Sequence, residues 1–152
     1  VPRLVALAAA AFPALPIDAR AVAELHRWHR NVLAIKVNGE IAGCFAALFL
    51  NAGGEAAMIE GSLPMNRPPP HLLSREGEKV AAVYVWMLVA RKCGMRARPL
   101  ILRWAFERAP GANIYGRPIN GGLMRLHSRD GASSLFEGSP IWVLRNSHAA
   151  SP

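Results

Sequence analysis

The sequence predicts one α+β domain. Three observations carry that expectation. Asn38-Gly39 separates two apolar, β-branched runs and follows two helical segments. Lys79–Ala90 (KVAAVYVWMLVA) is the most apolar stretch and has no turn residue inside it. After it, helical and extended patterns alternate to the end of the chain. At 152 residues the chain is long enough for one core of ordinary size.

The elements follow in order. Pro2–Phe12 is rich in Ala and Leu and reads as a helix that Pro13 and Pro16 stop. Asp18 is a suitable N-cap for a second helix over Ala19–Arg30, with Val22, Leu25 and Trp28 on one face and Asn31 at its end. Val32–Val37 and Ile41–Leu50 read as a hairpin. Both central positions of a type I′ turn need positive φ, which Asn and Gly tolerate. Asn51–Glu60 reads as a strand end and loop. Residues 61–78 read as a long irregular loop, because Pro64, Pro68, Pro69 and Pro70 block helix.

Lys79–Ala90 suits a central buried strand, on which Tyr84 and Trp86 share a face as core residues. A basic turn, Arg91–Arg96, leads into a helix over Ala97–Arg108, where Pro99 is tolerable only in the first turn. Asn113–Tyr115 starts another strand. Asn120–Arg129 reads as a helix closed by Gly131, and Leu135–Phe136 and Ile141–Leu144 as two short strands. No internal repeat is visible.

Composition narrows the function. Hydrophobic residues make up 52% of the chain, which argues against wholesale disorder. No apolar run reaches the length that spans a membrane. Val1–Phe12 mimics a short signal peptide, but it runs on into an ordinary amphipathic segment. Two cysteines, Cys44 and Cys93, make neither a disulfide scaffold nor a four-ligand zinc site, and they suit a reducing, cytoplasmic compartment. His26 and His29 are three apart, yet no carboxylate or Cys is arranged to complete a metal site, so no metal is expected.

The net charge is +8. Residues 1–60 are balanced, and the whole excess lies in residues 61–152. That asymmetry points to an anionic partner. Six of the eighteen Lys and Arg fall between Arg91 and Arg108. A strand that runs into a basic, glycine-containing turn opening a helix is suited to phosphate. The first amides of a helix are unsatisfied and carry partial positive charge. Arg91, Lys92, Arg96 and Arg98 add full charges, and Gly94 lets the backbone approach a ligand. The turn lacks the Gly-Lys-Ser/Thr ending of a Walker loop and the three spaced glycines of a dinucleotide fingerprint.

This segment resembles the GCN5-related N-acetyltransferase (GNAT) superfamily, which binds acetyl-CoA pyrophosphate on a strand–loop–helix of the form Arg/Gln-x-x-Gly-x-Gly/Ala. Arg91-Lys92-Cys93-Gly94-Met95-Arg96 matches the first Arg and the first Gly. Arg96 stands where a small residue is usual, and Ala97 comes one place late. Many members also carry Asn, then Tyr seven residues later, then Gly-Phe. Asn120, His127, Gly131 and Ala132 fall at those spacings, with His127 and Ala132 replacing Tyr and Phe.

The resemblance implies a three-layer fold with a central mixed, mostly antiparallel sheet flanked by helices. The family's first strand is not visible ahead of the early helices. It implies acetyl-CoA as co-substrate, bound by Val89, Arg91, Lys92, Cys93, Gly94, Met95, Arg96, Ala97 and Asn120. The Cys93 thiol itself reads as structural. The reaction implied is acetyl transfer to an amine on a small molecule or protein, with His127 as candidate general acid for the leaving thiolate. Glu78, or its neighbour Glu76, is the candidate base just before the central strand. The early helices border the acceptor cleft in this family. His26, Trp28 and His29 would then line it with Arg67, His71 and Arg75, favouring an acidic or phosphorylated acceptor. A homodimer is compatible with this reading. The alternatives are a nucleic-acid-binding module, suggested by the charge, and a degenerate, non-catalytic domain of the same kind, suggested by the departures at Arg96, His127 and Ala132.

Overall fold

The computed structural model describes residues 1–11, 18–90, 97–117 and 131–145. It is an α+β structure. Among the described residues, four α-helices, α1 (Pro2–Ala11), α2 (Ala19–His29), α3 (Ala52–Ile59) and α4 (Arg98–Arg108), accompany a six-stranded sheet. The strands are β1 (Val32–Val37), β2 (Glu40–Leu50), β3 (Ala82–Ala90), β4 (Asn113–Gly116), β5 (Ser133–Ser134) and β6 (Trp142–Leu144), in the order β1-β2-β3-β4-β6-β5. The β3–β4 pair is parallel and every other pair antiparallel. Helix α4 makes the crossover that a parallel pair requires.

Local chemistry explains the elements that the sequence foretold. Asp18 accepts from the Arg20 amide at 2.9 Å and caps α2. Asn38 and Gly39 take φ of 51° and 83°, as a type I′ turn demands. Pro99 falls in the first turn of α4. The last nine residues of β2 are all buried, and they alternate strictly between the sheet's two faces. Cys44, Ala46, Leu48 and Leu50 join α1, α2 and α3 in one core; Phe45, Ala47 and Phe49 join α4 in the other.

Strand β3 is phased differently. Met87 pairs with Ala46 while Val85 pairs with Ala47, so Trp86 is an extra residue, a β-bulge. Trp86 and Met87 therefore both face the first core, and Val83, Val85 and Leu88 face the second. Tyr84 and Trp86 share a face, as their alternation predicts.

Three expectations are corrected. Asn51–Glu60 is not a strand end and loop but the α3 helix. Its N-cap, Asn51, accepts from the Gly54 amide at 2.9 Å and donates to the His71 carbonyl at 2.9 Å. The helix is fixed by a contact twenty residues away, which local pattern cannot reveal. Leu135–Phe136 is not a strand. The pairing residues are Ser133 and Ser134, and the Ser134 hydroxyl, bonded to the Phe136 carbonyl at 2.6 Å, turns the chain. Trp28 does not join Val22 on the buried face of α2. Val22 is fully buried, but Trp28, in the last turn, is 83% exposed beside the large cleft. The expected helix over Asn120–Arg129 lies outside the described residues.

Two adjacent glycines in α3 test this packing. A Cβ on Gly54 would stand 2.1 Å from the Leu72 carbonyl oxygen, whereas on Gly53 it would meet nothing closer than 3.5 Å. Gly54→Ala is expected to cost at least about 2 kcal/mol, by forcing α3 off the Leu72 backbone. Gly53→Ala is expected to gain up to about 1 kcal/mol of helix propensity. Urea unfolding of the two variants checks this; equal stability would refute the close approach.

Candidate functional site

The first locus is the junction between β3 and α4. Parallel pairing of β3 with β4 runs from Ala82↔Asn113 to Val85↔Gly116 and stops there, one residue before the bulge. Among the described residues, Met87–Ala90 pair with β2 alone, and Trp86 is the bulge residue without a register partner. The Val89 side chain is buried in the first core, so only its backbone is available to a ligand. Ala97 is the N-cap of α4 and offers no side-chain acceptor, and no acidic residue stands in that helix's first turn. The positive end of α4 thus has no carboxylate of its own. Arg91, Lys92, Cys93, Gly94, Met95, Arg96, Asn120 and His127 lie outside the described residues.

The second locus is a cleft of about 910 Å³ between α2 and the proline-rich segment. It brings together Trp28, His29, Arg67, His71 and Arg75, five of the six residues expected to share a cleft. His26 is turned elsewhere: its Nδ1 accepts the Val32 amide at 3.2 Å, at the joint between α2 and β1. Burial, then the N-terminal ammonium and Arg30, holds its pKa below the ordinary value. Burial, followed by the charge of Arg108, likewise lowers that of His29.

A neighbouring cleft of about 550 Å³ shares Trp28, His29, Arg75 and Glu76, and adds Arg27, Arg30, Glu78 and Arg108. Arg108 reaches it from the end of α4. Its Nη2 donates to the His29 carbonyl at 3.0 Å, and its guanidinium lies 5.3 Å from the Phe49 ring centre and 5.5 Å from that of Trp104. Glu78 is exposed. Its Oε2 accepts the Arg75 amide at 2.8 Å, while its own amide donates to the Arg75 carbonyl at 3.0 Å. Gly77, at φ 80°, closes that turn. The carboxylate therefore shapes the rim of the cleft and keeps one oxygen for other work. Glu76 lines both clefts.

Two features escape a reading of the sequence. Asn31 is 1% exposed and binds β2 twice, through Nδ2 to the Ala47 carbonyl at 2.9 Å and through its own carbonyl to the Ala47 amide. The Tyr115 hydroxyl donates to Glu55 Oε1 at 2.7 Å, tying β4 to α3. Tyr115 stands opposite Tyr84 across the β3–β4 pair, and both belong to the first core. The available signal was Asn51, an N-cap ahead of the small-residue run Ala52–Ile59, which would have put Glu55 on a helix.

Among the described residues, no three His, Cys, Asp or Glu side chains converge as a metal site requires. None of the described helices is long and apolar enough to cross a membrane. No protein-family model matches the chain, and no curated protein or solved structure matches it.

The Tyr115–Glu55 bond makes stability depend on alkaline pH. Burial first, then the Glu55 hydrogen bond and charge, pushes the Tyr115 hydroxyl up to about 12. A hydroxyl raised in the folded state stabilises fully below its unfolded pKa near ~10, and that stabilisation disappears as pH rises to about 12. Tyr115→Phe is expected to lose about 1 kcal/mol at neutral pH. Above pH ~10 it should lose stability less steeply than the parent, by up to ~1.4 kcal/mol per pH unit. Denaturant titrations across that range check this; parallel pH curves would refute the link.

Proposed function

We propose that the chain is an acyl-CoA-dependent N-acyltransferase that moves an acetyl group from acetyl-CoA to an amine. The observation that carries this reading is that, among the described residues, β3–β4 pairing ends at Val85↔Gly116. Past it, β3 runs on through the Trp86 bulge and four residues that pair, among the described residues, with β2 alone, and α4 begins at Arg98. The amides and carbonyls on the other side of Trp86–Ala90 suit the two amide groups of an extended pantetheine arm. Arg91, Lys92, Arg96 and Arg98, with the first amides of α4, suit the pyrophosphate. The three-layer, mixed sheet and the sequence resemblance to GNAT proteins fit the same reading.

Acetyl-CoA supplies an activated thioester. The protein's own groups manage the protons. The acceptor nitrogen must lose a proton to attack, and the carboxylate of Glu78, on the rim of the smaller cleft, is the candidate base. As the C–N bond forms and the C–S bond breaks, His127 donates a proton to the departing thiolate. The acceptor would enter beside Trp28, His29 and Arg75.

Calorimetry with acetyl-CoA tests this. Saturable binding below about 1 mM is expected, and no heat from folded protein would sink the reading. Combined Arg91→Ala and Lys92→Ala changes should weaken binding about tenfold or more, with the thermal midpoint little changed. Binding without turnover of any amine would identify a degenerate, non-catalytic domain.

A further inference from the structure

Trp28 carries the largest exposed apolar surface that α2 presents to solvent, on a helix whose other large apolar side chains, Val22 and Leu25, pack on the core. An indole offers a broad flat face with strong preference for another ring or an apolar wall. Here it stands at a cleft walled by Leu25, Leu73 and the consecutive rings of Pro68, Pro69 and Pro70. The opposite requirement, a charged group, is met in the same place. Arg67 and Arg75 line the cleft beside the imidazoles of His29 and His71, and Glu24 and Glu76 balance the two guanidinium charges.

Glu24 is shared between two exposed arginines: its Oε1 accepts from Arg20 Nε at 3.1 Å, and Arg67 Nη2 stands 3.9 Å from its Oε2. Arg75 gives its backbone amide to Glu78, while its guanidinium enters no ion pair among the described residues. Across the shared wall, Arg27, Arg30 and Arg108 add three further positive charges against Glu78 alone. The cleft thus has a flat aromatic face and apolar walls, and the positive excess lies along the wall it shares with its neighbour, where Arg75 stands.

We propose that this cleft binds a small planar aromatic molecule bearing one carboxylate or phosphate. Its ring lies against Trp28 and the proline wall, and its anion meets Arg75 and Arg67. The cleft's volume, about 910 Å³, accommodates such a ligand. Both parts are needed. Trp28 without the arginines would hold neutral rings equally, and the arginines without Trp28 would hold free phosphate equally. If the acyltransferase reading holds, this molecule is the acceptor and carries the amine; the binding itself does not depend on that reading.

The probes are 1-naphthyl phosphate and 2-naphthoate, with 1-naphthol, 2-naphthamide and inorganic phosphate as counterparts. Binding is followed by calorimetry and by the Trp28 indole N–H resonance, assigned with Trp28→Phe. At least one naphthyl anion should saturate below about 1 mM and shift that resonance, with each counterpart at least about tenfold weaker. Arg75→Gln should weaken the anion about tenfold and leave 1-naphthol unaffected. Trp28→Ala should weaken it comparably without changing the melting temperature, since the side chain is exposed. Failure of both anions to saturate would overturn the proposal, as would equal binding of their neutral counterparts. So would full binding by Arg75→Gln. Tight, steeply salt-dependent binding of single-stranded oligonucleotides, with none of the naphthyl anions, would instead make the surface a nucleic-acid platform. Acetyl-CoA is titrated on the same sample. Naphthyl binding without acetyl-CoA binding keeps this inference and discards acyl transfer, and the converse does the reverse.

Discussion

Strand β3 lies at the centre of the molecule, with β2 on one side, β4 on the other and a core on each face. The extra residue at Trp86 sets how each neighbour is placed. It turns two successive side chains toward the same core, so the large Trp86 ring lies under the segment that follows α3. There its Nε1 donates to the Met65 carbonyl at 2.7 Å. A buried hydrogen bond of this kind contributes about 1 kcal/mol, and a Trp body adds more by burial. It anchors a proline-rich segment that has little regular structure of its own. That anchored segment, facing α2, is one wall of the large cleft. On the other side of β3, pairing with β4 among the described residues stops next to the bulge, and the strand continues to Ala90.

The two loci belong to opposite ends of one crossover. Helix α4 starts at the junction after β3 and finishes at Arg108, which bonds to the last carbonyl of α2 and lies against Phe49 and Trp104. Trp104 itself packs edge-on to Phe45, with ring centres 5.6 Å apart and planes at 85°. The aromatic group fixes α4 on the second face, and Arg108 carries that placement to the rim of the clefts. Its charge also helps keep the His29 imidazole neutral, although burial matters more. A positive field there attracts anions and disfavours a further proton.

What the sequence made legible was what neighbouring residues decide. Asn38-Gly39 fixed a turn, Asp18 a helix start, Pro99 a helix position, and the alternation of Tyr84 and Trp86 a common face. Helix α3 had one local signal, the N-cap Asn51, while the contacts that seat it, Asn51 on His71 and Gly54 against Leu72, were hidden. The Tyr115–Glu55 pair was hidden for the same reason, since its partners are sixty residues apart. Dividing the charge along the chain does not show how it groups in space. Arg27 and Arg30 come from the balanced first part, yet they stand with Arg75 and Arg108 around one cleft. The residues expected to grip pyrophosphate, Arg91 to Arg96, lie outside the described structure with Asn120 and His127, so their roles rest on the sequence and on the geometry of Val89, Ala97 and α4 at either side.

The central claim is that the one-sided end of β3 and the start of α4 form a cofactor seat. Amide hydrogen exchange, read residue by residue with and without acetyl-CoA, tests it most directly. Slowed exchange at amides within Trp86–Ala90 and in the first turn of α4, with β1 and β5 unchanged, is the predicted result. Unchanged exchange across Trp86–Ile101 at saturating acetyl-CoA, or protection confined to the α2 cleft, would contradict it.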